Sequence, residues 1–388
     1  MIINNEKNRV RIFINAISAR RGGGQTYLIN LLKYFPTEYN NIDIFLLAPD
    51  SLELSTDYKN LTRVHVNWPI ENPFLRAIWE KLFLPKMLRQ MGIDVLFCPG
   101  GVIGTTPPSG CKTVTMFRNM IPFDLKVRRM YPLGYMRVRN WILEKVMSQS
   151  MMRADLVIFI SEFAKNVIEN YTKKSLKKAV VIPHGINPHF RNPVDSTLSK
   201  PDWVPKDGYF LYVSIFDVYK AQIEVVQSYA LLKQQRNTRE KLVLAGPENP
   251  DYGMKLRAEI ERLGLNNEVL LVGAIPYNQL PSIYHNAVIN IFASECENCP
   301  NILLEALSAG RPLFSSNIPP MPEFGGDAVV YFDPACPEQL AEKIIAVIDD
   351  PSKMEALALK SKIRSMQYQW SDAARETWKT MLDLHFEA

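Results

Sequence analysis

The sequence predicts an α/β protein made of two doubly wound domains, each a parallel sheet covered by helices on both faces. Short, nearly continuous apolar runs alternate with amphipathic helical segments, which is the pattern of strands buried on both faces of a sheet. The length of 388 residues is about twice or more that of a typical domain. Two alternating halves are separated by a proline-rich, aperiodic stretch, residues 183–208.

The pattern in the first half predicts strands that alternate with helices. Its predicted strands are residues 9–17, 42–48, 93–99, 154–161 and 178–183. Helical periodicity covers residues 25–35, 74–91 (with a proline break) and 162–171. We expect the stretch between the third and fourth of these strands to be irregular.

The second half repeats the pattern. Its predicted strands are residues 209–214, 241–246, 268–273, 288–294, 312–316 and 328–332, with helices between them. We therefore predict domains over residues 1–190 and 208–370, joined by a linker at 191–207. Folds of this class bind ligands at the carboxyl ends of their strands.

The composition is that of an ordinary globular protein. A net charge of +5 and a pI near 8.8 are too mildly basic to indicate nucleic acid as a partner. No apolar run reaches the about 18 residues of a spanning helix, and the N-terminal residues lack the pattern of a secretion signal. Five cysteines favour a reducing compartment, so we expect a cytoplasmic protein.

The stretch SECENCPNILLEALSAG, residues 294–310, allows two interpretations. Cys296 and Cys299 form a C-x-x-C pair of the kind found in metal and redox sites. A zinc site needs two further ligands, and the other cysteines, at 98, 111 and 336, are scattered along the chain. We therefore interpret the pair as two small, semi-buried residues.

The second interpretation rests on Glu297 and Glu305, which flank the start of a predicted helix. The N–H groups of Asn301, Ile302 and Leu303 would lie at the positive end of that helix and form an anion site. A nucleotide-sugar suits this arrangement, with phosphate on the amides, ribose on one carboxylate and the sugar on the other. Alternatively, Glu297 is solvated and Glu305 merely complements the helix dipole.

The same stretch resembles the Glu, seven residues, Glu signature of retaining glycosyltransferases of family 4, the group 1 glycosyltransferases. Further segments resemble that family in the expected order, namely residues 22–24, 160–165, 181–187, 211–221, 242–247 and 272–287. The resemblance implies the GT-B fold, in which two Rossmann-like domains face a cleft. It also implies an acceptor-binding N-terminal domain, a donor-binding C-terminal domain and a C-terminal helix, 371–388, that crosses back to the N-terminal domain.

The resemblance also implies roles for individual residues. Glu305 would bind the ribose of the donor, Glu297 would contact the transferred sugar at the reacting centre, and Lys220 would bind the donor diphosphate. Gly246 belongs to a segment that resembles the donor-binding elements. No cofactor and no metal are expected, because the chain has no Asp-x-Asp pair and a lysine with helix amides can meet the diphosphate.

The chain departs from the family pattern at two places. Ile215 stands where the family often has arginine, and Arg118-Asn119 stands where it usually has His-Asp. Arg118 either binds phosphate or an acidic acceptor, or is an exposed cation at a strand end. Gly23 and Gly24 would let donor phosphates or the acceptor approach the first helix, or would only form a tight turn.

Residues 112–145 combine cations with aromatic side chains. The cations are Lys112, Arg118, Lys126, Arg128, Arg129, Arg137, Arg139 and Lys145, and the aromatic residues are Phe117, Phe123, Tyr131, Tyr135 and Trp141. The pattern indicates either a surface that meets anionic lipid and a lipid-diphosphate-linked acceptor, or an amphipathic helix with a solvated basic face. We do not expect nucleic acid, since no recognised binding module accompanies the pattern.

We therefore predict a retaining glycosyltransferase that moves a hexose or deoxyhexose from a nucleotide-sugar to a glycan or lipid-linked acceptor. Its expected setting is bacterial surface polysaccharide synthesis, at the inner face of the membrane as a peripheral protein. Two alternatives are a non-catalytic nucleotide- or sugar-binding subunit and a nucleotide-sugar epimerase of the same fold.

Overall fold

The computed structural model describes residues 9–20, 22–39, 41–54, 60–173, 175–192, 201 and 203–387. They form two compact units. The first contains the described residues up to 123 together with 138–184 and 370–387, and the second contains 124–137 and the described part of 185–369. No helix in these ranges is both long enough and apolar enough to cross a membrane.

The first unit is built on a seven-stranded parallel sheet. Its strands are β1 (Val10–Asn15), β2 (Ile42–Leu47), β3 (Leu61–Arg63), β4 (Val95–Cys98), β5 (Lys112–Phe117), β6 (Leu156–Phe159) and β7 (Ala179–Val181). Their order is β3-β2-β1-β4-β5-β6-β7, so the chain proceeds to one side of β1 and then returns to the other. Strands β1, β4 and β6 are almost wholly buried, as their continuous apolar sequences predict.

Helices pack on this sheet. They are α1 (Gly23–Lys33), α2 (Pro73–Leu82), α3 (Leu84–Gln90), α5 (Tyr135–Arg153), α6 (Glu162–Thr172) and the C-terminal α14 (Trp370–Phe386). Helix α14 packs against α1, and the indole N–H of Trp378 donates to the carbonyl of Leu31 at 3.0 Å. The last helix of the chain therefore completes the unit formed by the first half of the sequence.

The second unit contains a six-stranded parallel sheet. Its strands are β8 (Tyr209–Val213), β9 (Lys241–Ala245), β10 (Val269–Leu271), β11 (Ile289–Phe292), β12 (Leu313–Ser316) and β13 (Val330–Phe332). The order is β10-β9-β8-β11-β12-β13, which again reverses beside the first strand. The helices are α4 (Leu125–Met130), α7 (Gln222–Gln235), α8 (Pro250–Arg262), α9 (Leu280–Asn286), α10 (Asn301–Ser308), α11 (Met321–Gly325), α12 (Pro337–Ile348) and α13 (Pro351–Ser365).

Both sheets confirm the predicted α/β class, and one local prediction was wrong. The stretch expected to be irregular contains β5, which pairs with β4 and β6, and the long helix α5. Strand β5 was missed because two threonines and a lysine interrupt its apolar character, although Thr113 and Thr115 are buried. The Thr113 hydroxyl donates to Asp155 at 2.8 Å, which satisfies it inside the unit.

Residues 124–137 group with the second unit, although the predicted N-terminal domain, residues 1–190, includes them. Two polar contacts account for this grouping: the Tyr131 hydroxyl donates to Asp217 at 3.2 Å, and Lys126 forms an ion pair with Glu295. Residues 1–8 and most of the predicted linker, 193–200 and 202, lie outside the described residues.

Gly246 offers a test of the packing after β9. Its φ of 149° favours glycine, and a Cβ built there would lie 1.9 Å from the carbonyl oxygen of Ser214. We expect Gly246→Ala to lower the free energy of unfolding by more than about 2 kcal/mol, measured by urea denaturation. The control Gly264→Ala also has a positive φ but open space around the new Cβ, so it should cost only about 1 kcal/mol. Equal losses in both variants would contradict the steric argument.

Candidate active site

The second unit brings two distant loops together at the point where its strand order reverses. Strands β8 and β11 are neighbours in the sheet although about 80 residues separate them, and both run in the same direction. The loop after β8 carries Lys220, and the loop after β11 carries Glu297. Because both loops start from the carboxyl edge of the sheet, these two side chains meet and form an ion pair.

Lys220 is held firmly in this position. Its side chain is only 5% exposed, and Tyr212 donates a hydrogen bond to its backbone carbonyl at 2.7 Å. The ammonium lies 4.9 Å from the ring centroid of Tyr219 and 5.5 Å from that of Phe292. An ammonium has three N–H donors. The contact with Glu297 therefore orients the cation while two donors remain for other acceptors.

Helix α10 begins directly after this loop. The N–H of Asn301 donates to the Cys299 carbonyl at 3.0 Å, so the prediction that it is an unused donor was wrong. Within the part of the chain that the structure describes, the N–H groups of Ile302 and Leu303 have no carbonyl or side-chain acceptor. These two amides are the donors of the helix N-terminus that can meet an anion.

Glu305 lies on α10, one turn beyond those amides, and two polar side chains position it. The Tyr277 hydroxyl donates to Glu305 Oε1 at 3.2 Å, and the Asn187 amide donates to the Tyr277 oxygen at 2.8 Å. Burial raises the pKa of Glu305 to about 8, against the lowering effect of the Tyr277 hydrogen bond. Folding therefore favours the neutral form of this carboxyl group at neutral pH.

Tyr277 and Asn187 belong to the candidate site but were not predicted from the sequence. Both lie in segments quoted for the family resemblance, but neither has a spacing relation to Glu305 in the sequence. Their contact depends on the placement of the loop before α9 and of the segment after β7.

Two other predicted donor-side positions have local roles. Gly246 follows β9, where the close approach of Ser214 leaves no room for a Cβ. Packing alone therefore requires glycine at this position. Ile215 follows β8 and is 43% exposed, while its carbonyl accepts from Gln222 at 2.9 Å. The position where the family often has arginine is therefore an exposed apolar side chain.

Cys296 does not provide a reactive thiol. Its side chain is buried, and burial, together with the nearby Asp124 carboxylate, raises the pKa of the thiol well above its ordinary value. A redox or metal-binding cysteine needs a stabilised thiolate. This agrees with the interpretation of the C-x-x-C pair as packing residues.

The first unit contains a second candidate site, a cavity of about 360 Å³ where its own strand order reverses, beside β1 and β4. Of the residues predicted for the acceptor side, Gly24, Arg118 and Asn119 line this cavity, whereas Gly23 is the first residue of α1 and is not in the lining. A Cβ at position 24 would lie 3.2 Å from the Cα of Ala19, so this glycine permits close packing.

Arg118 directly follows the last residue of β5 and is half-buried. Its guanidinium carbon lies 5.4 Å from the centroid of the Tyr27 ring. Four further polar residues of the lining were not predicted from the sequence, namely Asn15, Ser18, Arg76 and Glu80.

The basic and aromatic stretch 112–145 is not one continuous surface. Phe117 is buried in β5 and packs on Phe123 and Phe159, and Tyr131 is also buried. These aromatic residues serve the interior. Tyr135 and Trp141 are exposed, as are the cations Lys126, Arg129, Arg139 and Lys145.

Comparison with known families agrees with this architecture. A family model described as Glycosyltransferase Family 4 matches residues 21–190, and one described as Glycosyl transferases group 1 matches residues 195–364. The chain belongs to the group 1 glycosyltransferases. The Glu297–Glu305 spacing on which the sequence prediction rested lies inside the second match.

Individual relatives share about a quarter or less of their residues with this chain over the aligned regions. The O-antigen chain mannosyltransferase B of Escherichia coli is 25% identical over 239 residues, which are 61% of this chain and 62% of that protein. The serotype-specific mannosyltransferase WbdA of Escherichia coli is 22% identical over 269 residues, 68% of this chain and 32% of that protein. The chain thus aligns with less than two thirds of the length of these relatives.

Solved structures share the fold over nearly the whole chain. A sucrose-phosphate synthase from Thermosynechococcus elongatus superposes with a TM-score of 0.75 at 17% identity, covering 98% of this chain and 100% of that one. The HepE protein of Anabaena, in complex with UDP, gives a TM-score of 0.70 at 16% identity, covering 97% and 100%. These similarities confirm the GT-B fold.

The raised pKa of Glu305 predicts how the stability of the folded chain changes with pH. Folding favours the neutral acid, so the wild-type chain loses stability as pH rises from the ordinary value of 4.5 through about 8. Glu305→Gln mimics the neutral form and retains an oxygen for Tyr277. We expect this variant to have a Tm several degrees above wild type at pH 9 and a similar Tm near pH 4.5, measured by calorimetry.

Glu259 is a control of opposite sign. Hydrogen bonds from Arg262 and Gln227 lower the pKa of Glu259 to about 2, so its ionised form contributes stability above pH 4.5. Glu259→Gln should therefore lower the Tm at pH 7 slightly, because the group is near the surface. A Glu305→Gln variant that behaves like Glu259→Gln would contradict the burial argument.

Proposed function

We propose that the chain is a retaining hexosyltransferase that uses a nucleotide-sugar donor. The observation that carries the proposal is the buried pair of Lys220 and Glu297 at the reversal of the second sheet, with Glu305 on the adjoining helix. The candidate site thus combines a cation, two amide donors and two carboxyl groups. A nucleotide-sugar offers groups that match these, namely a diphosphate that joins a ribose diol on one side to sugar hydroxyls on the other.

The diphosphate would be bound by the Lys220 ammonium and by the N–H groups of Ile302 and Leu303. As the bond between the anomeric carbon and the phosphate oxygen breaks, negative charge grows on the leaving diphosphate. Fixed donors and a cation at that position stabilise the transition state more than the ground state. Lys220 is thus the residue on which the rate should depend most.

Retention of configuration follows from attack on the face that the diphosphate leaves. The acceptor oxygen forms the new bond to the anomeric carbon while the bond to the phosphate oxygen breaks, and the leaving phosphate oxygen takes the acceptor proton. Glu297 would bind a hydroxyl of the transferred sugar and keep the Lys220 ammonium oriented. No covalent sugar–enzyme intermediate is required, and no metal is required to neutralise the diphosphate.

The relatives narrow the substrates to test. Two are named as mannosyltransferases, one of them of the O-antigen chain, and the HepE structures contain UDP, UDP with glucose, or UDP-glucose. We therefore propose a hexose donor, with mannose as the first sugar to test. The acceptor in this proposal is a glycan or lipid-linked sugar of a bacterial surface polysaccharide.

Donor binding tests the site directly. Calorimetric titration with UDP, GDP, ADP and dTDP should show one nucleotide bound at micromolar to millimolar concentration. Glu305→Ala should weaken that binding about 10-fold or more, because it removes the acceptor for the ribose hydroxyls. Lys220→Ala should lower kcat with the matching nucleotide-sugar about 10²–10³-fold. Lys233→Ala is the control. It removes a lysine of α7 that forms an ion pair with Glu268, and it should retain activity.

The products separate this proposal from its alternatives. An epimerase would return an altered nucleotide-sugar or free sugar without acceptor, and a binding subunit would show neither product. Turnover should be unchanged by 10 mM EDTA, whereas loss of activity that Mg²⁺ or Mn²⁺ restores would contradict the role given to Lys220. If no nucleotide binds better than millimolar, the proposal fails.

The sequence predicted a membrane-binding surface within residues 112–145. Exposed apolar side chains lie on α5, which belongs partly to this stretch, and also on α2, which lies outside it. On α2, Phe74 and Ile78 and Leu82 lie four residues apart on the exposed face, and Phe74 is 83% exposed. On α5, Trp141 and Ile142 are exposed beside the cations of that helix. We propose that these faces lie on a membrane containing anionic lipid, because apolar side chains next to cations suit such an interface.

Vesicle co-sedimentation tests this surface. The wild-type chain should bind vesicles of 30% phosphatidylglycerol more strongly than vesicles of phosphatidylcholine alone, and 0.5 M salt should weaken the binding. The double variant Ile78→Ser/Trp141→Ser should lose at least three quarters of the bound fraction. Met254→Ser, which changes an exposed apolar residue of the second unit, is the control. Indifference to lipid charge would overturn the proposal.

A further inference from the structure

One segment of the chain contacts both loops of the candidate active site. Residues 124–137 lie in the sequence between two stretches of the first unit, yet they group with the second unit. Helix α4 and the residues after it contact the loop after β8, which carries Lys220, and the loop after β11, which carries Glu297. We propose that this segment positions the two loops for catalysis, with Tyr131 as the positioning residue for Lys220. The inference rests on the proposed function, in which Lys220 stabilises the leaving diphosphate.

The contact with the first loop is made by a buried side chain. Tyr131 is 4% exposed, and its hydroxyl donates to Asp217 Oδ2 at 3.2 Å. The other carboxylate oxygen of Asp217 accepts from the N–H of Val218 at 2.7 Å, and the Asp217 carbonyl accepts from the N–H of Lys220 at 2.9 Å. The Tyr131 hydroxyl is therefore linked to the backbone of Lys220 through Asp217 alone.

This link bears on where the ammonium of Lys220 lies. The backbone of Lys220 is held at both of its polar groups, since its N–H donates to Asp217 and its carbonyl accepts from Tyr212. A lysine side chain is a flexible stem, so its ammonium stays in one place only if its backbone does. A displacement of about 1 Å from the productive position can lower a rate about 10²-fold. Loss of the Tyr131 contact should therefore affect catalysis more than binding of the whole donor.

The second loop is held by two further contacts from the same segment. Lys126 of α4 forms an ion pair with Glu295, whose side chain is 12% exposed. Burial and the adjacent Asp124 carboxylate raise the pKa of the Cys296 thiol, so the start of α4 also lies beside this loop. Glu295 and Cys296 directly precede Glu297 in the sequence. The segment thus contacts the residues immediately before the carboxylate of the ion pair.

The two loops are also joined to each other. The N–H of Glu295 donates to the carbonyl of Tyr219 at 2.8 Å. The ring centroid of Tyr219 lies 4.9 Å from the Lys220 ammonium. The segment and the two loops therefore form one connected set of contacts that ends at the ion pair of Lys220 and Glu297. Buried residues that support one another in this way keep the groups that touch a substrate in place.

The segment has internal contacts that make it rigid. Arg137, in the first turn of α5, donates from Nε to the Tyr131 carbonyl at 2.7 Å and from Nη2 to the Arg129 carbonyl at 2.8 Å. The guanidinium therefore bridges the end of α4 and the residue after it. At the other end, Asp124 caps α4 by accepting from the N–H of Val127 at 2.9 Å, and Val127 is completely buried.

Chemical labelling of lysines on the full chain tests the positioning without requiring activity. The wild-type chain and Tyr131→Phe are treated with acetic anhydride, and the acetylation rate of each lysine is read by mass spectrometry. Tyr131→Phe removes the hydroxyl and keeps the ring, so the loop should loosen while the packing remains. The rate at Lys220, whose side chain is 5% exposed, should rise about 5-fold or more. The rate at Lys233 of α7 should not change.

Turnover supplies the second measurement. The probes are GDP-mannose and UDP-glucose with water as the acceptor, and release of the nucleoside diphosphate is followed. Tyr131→Phe should lower kcat about 10-fold. In a Lys220→Ala background the same change should have no further effect on kcat, because it acts through that lysine. Tyr135→Phe, which removes the hydroxyl of a 76% exposed tyrosine in the same segment, is the control and should keep kcat within about 2-fold of wild type.

The ion pair of the second loop should contribute less than the buried hydroxyl. The side chain of Lys126 is 65% exposed, so solvent and salt screen its charge. Lys126→Met should lower kcat by no more than about 3-fold at 50 mM salt, and 0.5 M salt should remove the difference from wild type. The effect of Tyr131→Phe should persist at 0.5 M salt, because that contact is buried and Tyr131 is uncharged.

Two results would overturn the inference. In the first, the acetylation rate at Lys220 is the same in Tyr131→Phe and wild type, or a chain that hydrolyses a probe does so equally fast in both. Either result, with or without a lowered Tm, would assign Tyr131 to packing alone. In the second, Tyr131→Phe lowers kcat by the same factor with and without Lys220, so the hydroxyl acts elsewhere.

Failure of the proposed function gives a different pattern. In that case the wild-type chain neither binds nor hydrolyses a nucleotide-sugar, while the acetylation rate at Lys220 still rises in Tyr131→Phe. This pattern would support the positioning contact and contradict only the transferase activity. Normal hydrolysis with an unchanged labelling rate would do the reverse.

Discussion

In a parallel sheet, neighbouring strands end at the same edge, and the chain leaves that edge through loops that lead into helices. Where the strand order reverses, two such loops diverge and leave room between them. Both units of this chain contain one reversal, between β1 and β4 and between β8 and β11. The candidate donor site and the polar cavity each lie at one of these reversals, so the strand order determines where chemistry can be placed.

The polar groups at these two positions share a second property, which is burial with a small number of specific partners. Lys220 contacts Glu297, Glu305 accepts from Tyr277, and Glu80 accepts from Asn15. Buried ionisable groups of this kind lower stability relative to apolar residues of similar size. Their presence at the reversals of both sheets distinguishes these side chains from the apolar residues of the surrounding core.

Much of the fold could be predicted because strands buried on both faces need continuous apolar sequence, as in β6 and β8. Strand β5 could not, since its threonines are satisfied by Asp155 and Cys98, partners that local sequence does not reveal. The aromatic residues of 112–145 were misjudged for a related reason. All three of Phe117, Tyr131 and Trp141 are aromatic residues among cations in the sequence. Only the packing of the folded chain shows that the first two are buried and that Trp141 is exposed.

The α/β class, the helix that follows Glu297 and the carboxylate pair with the family's spacing were all predicted from the sequence, because local apolar periodicity and residue spacing indicate them. Which distant residues meet depends on the tertiary structure. Lys220 reaches Glu297 across 77 positions, and Asn15 reaches Glu80 across 65. Such contacts depend on strand order and on loop paths, which no local periodicity encodes. The same is true of the raised pKa of Glu305, since burial is a property of the folded chain.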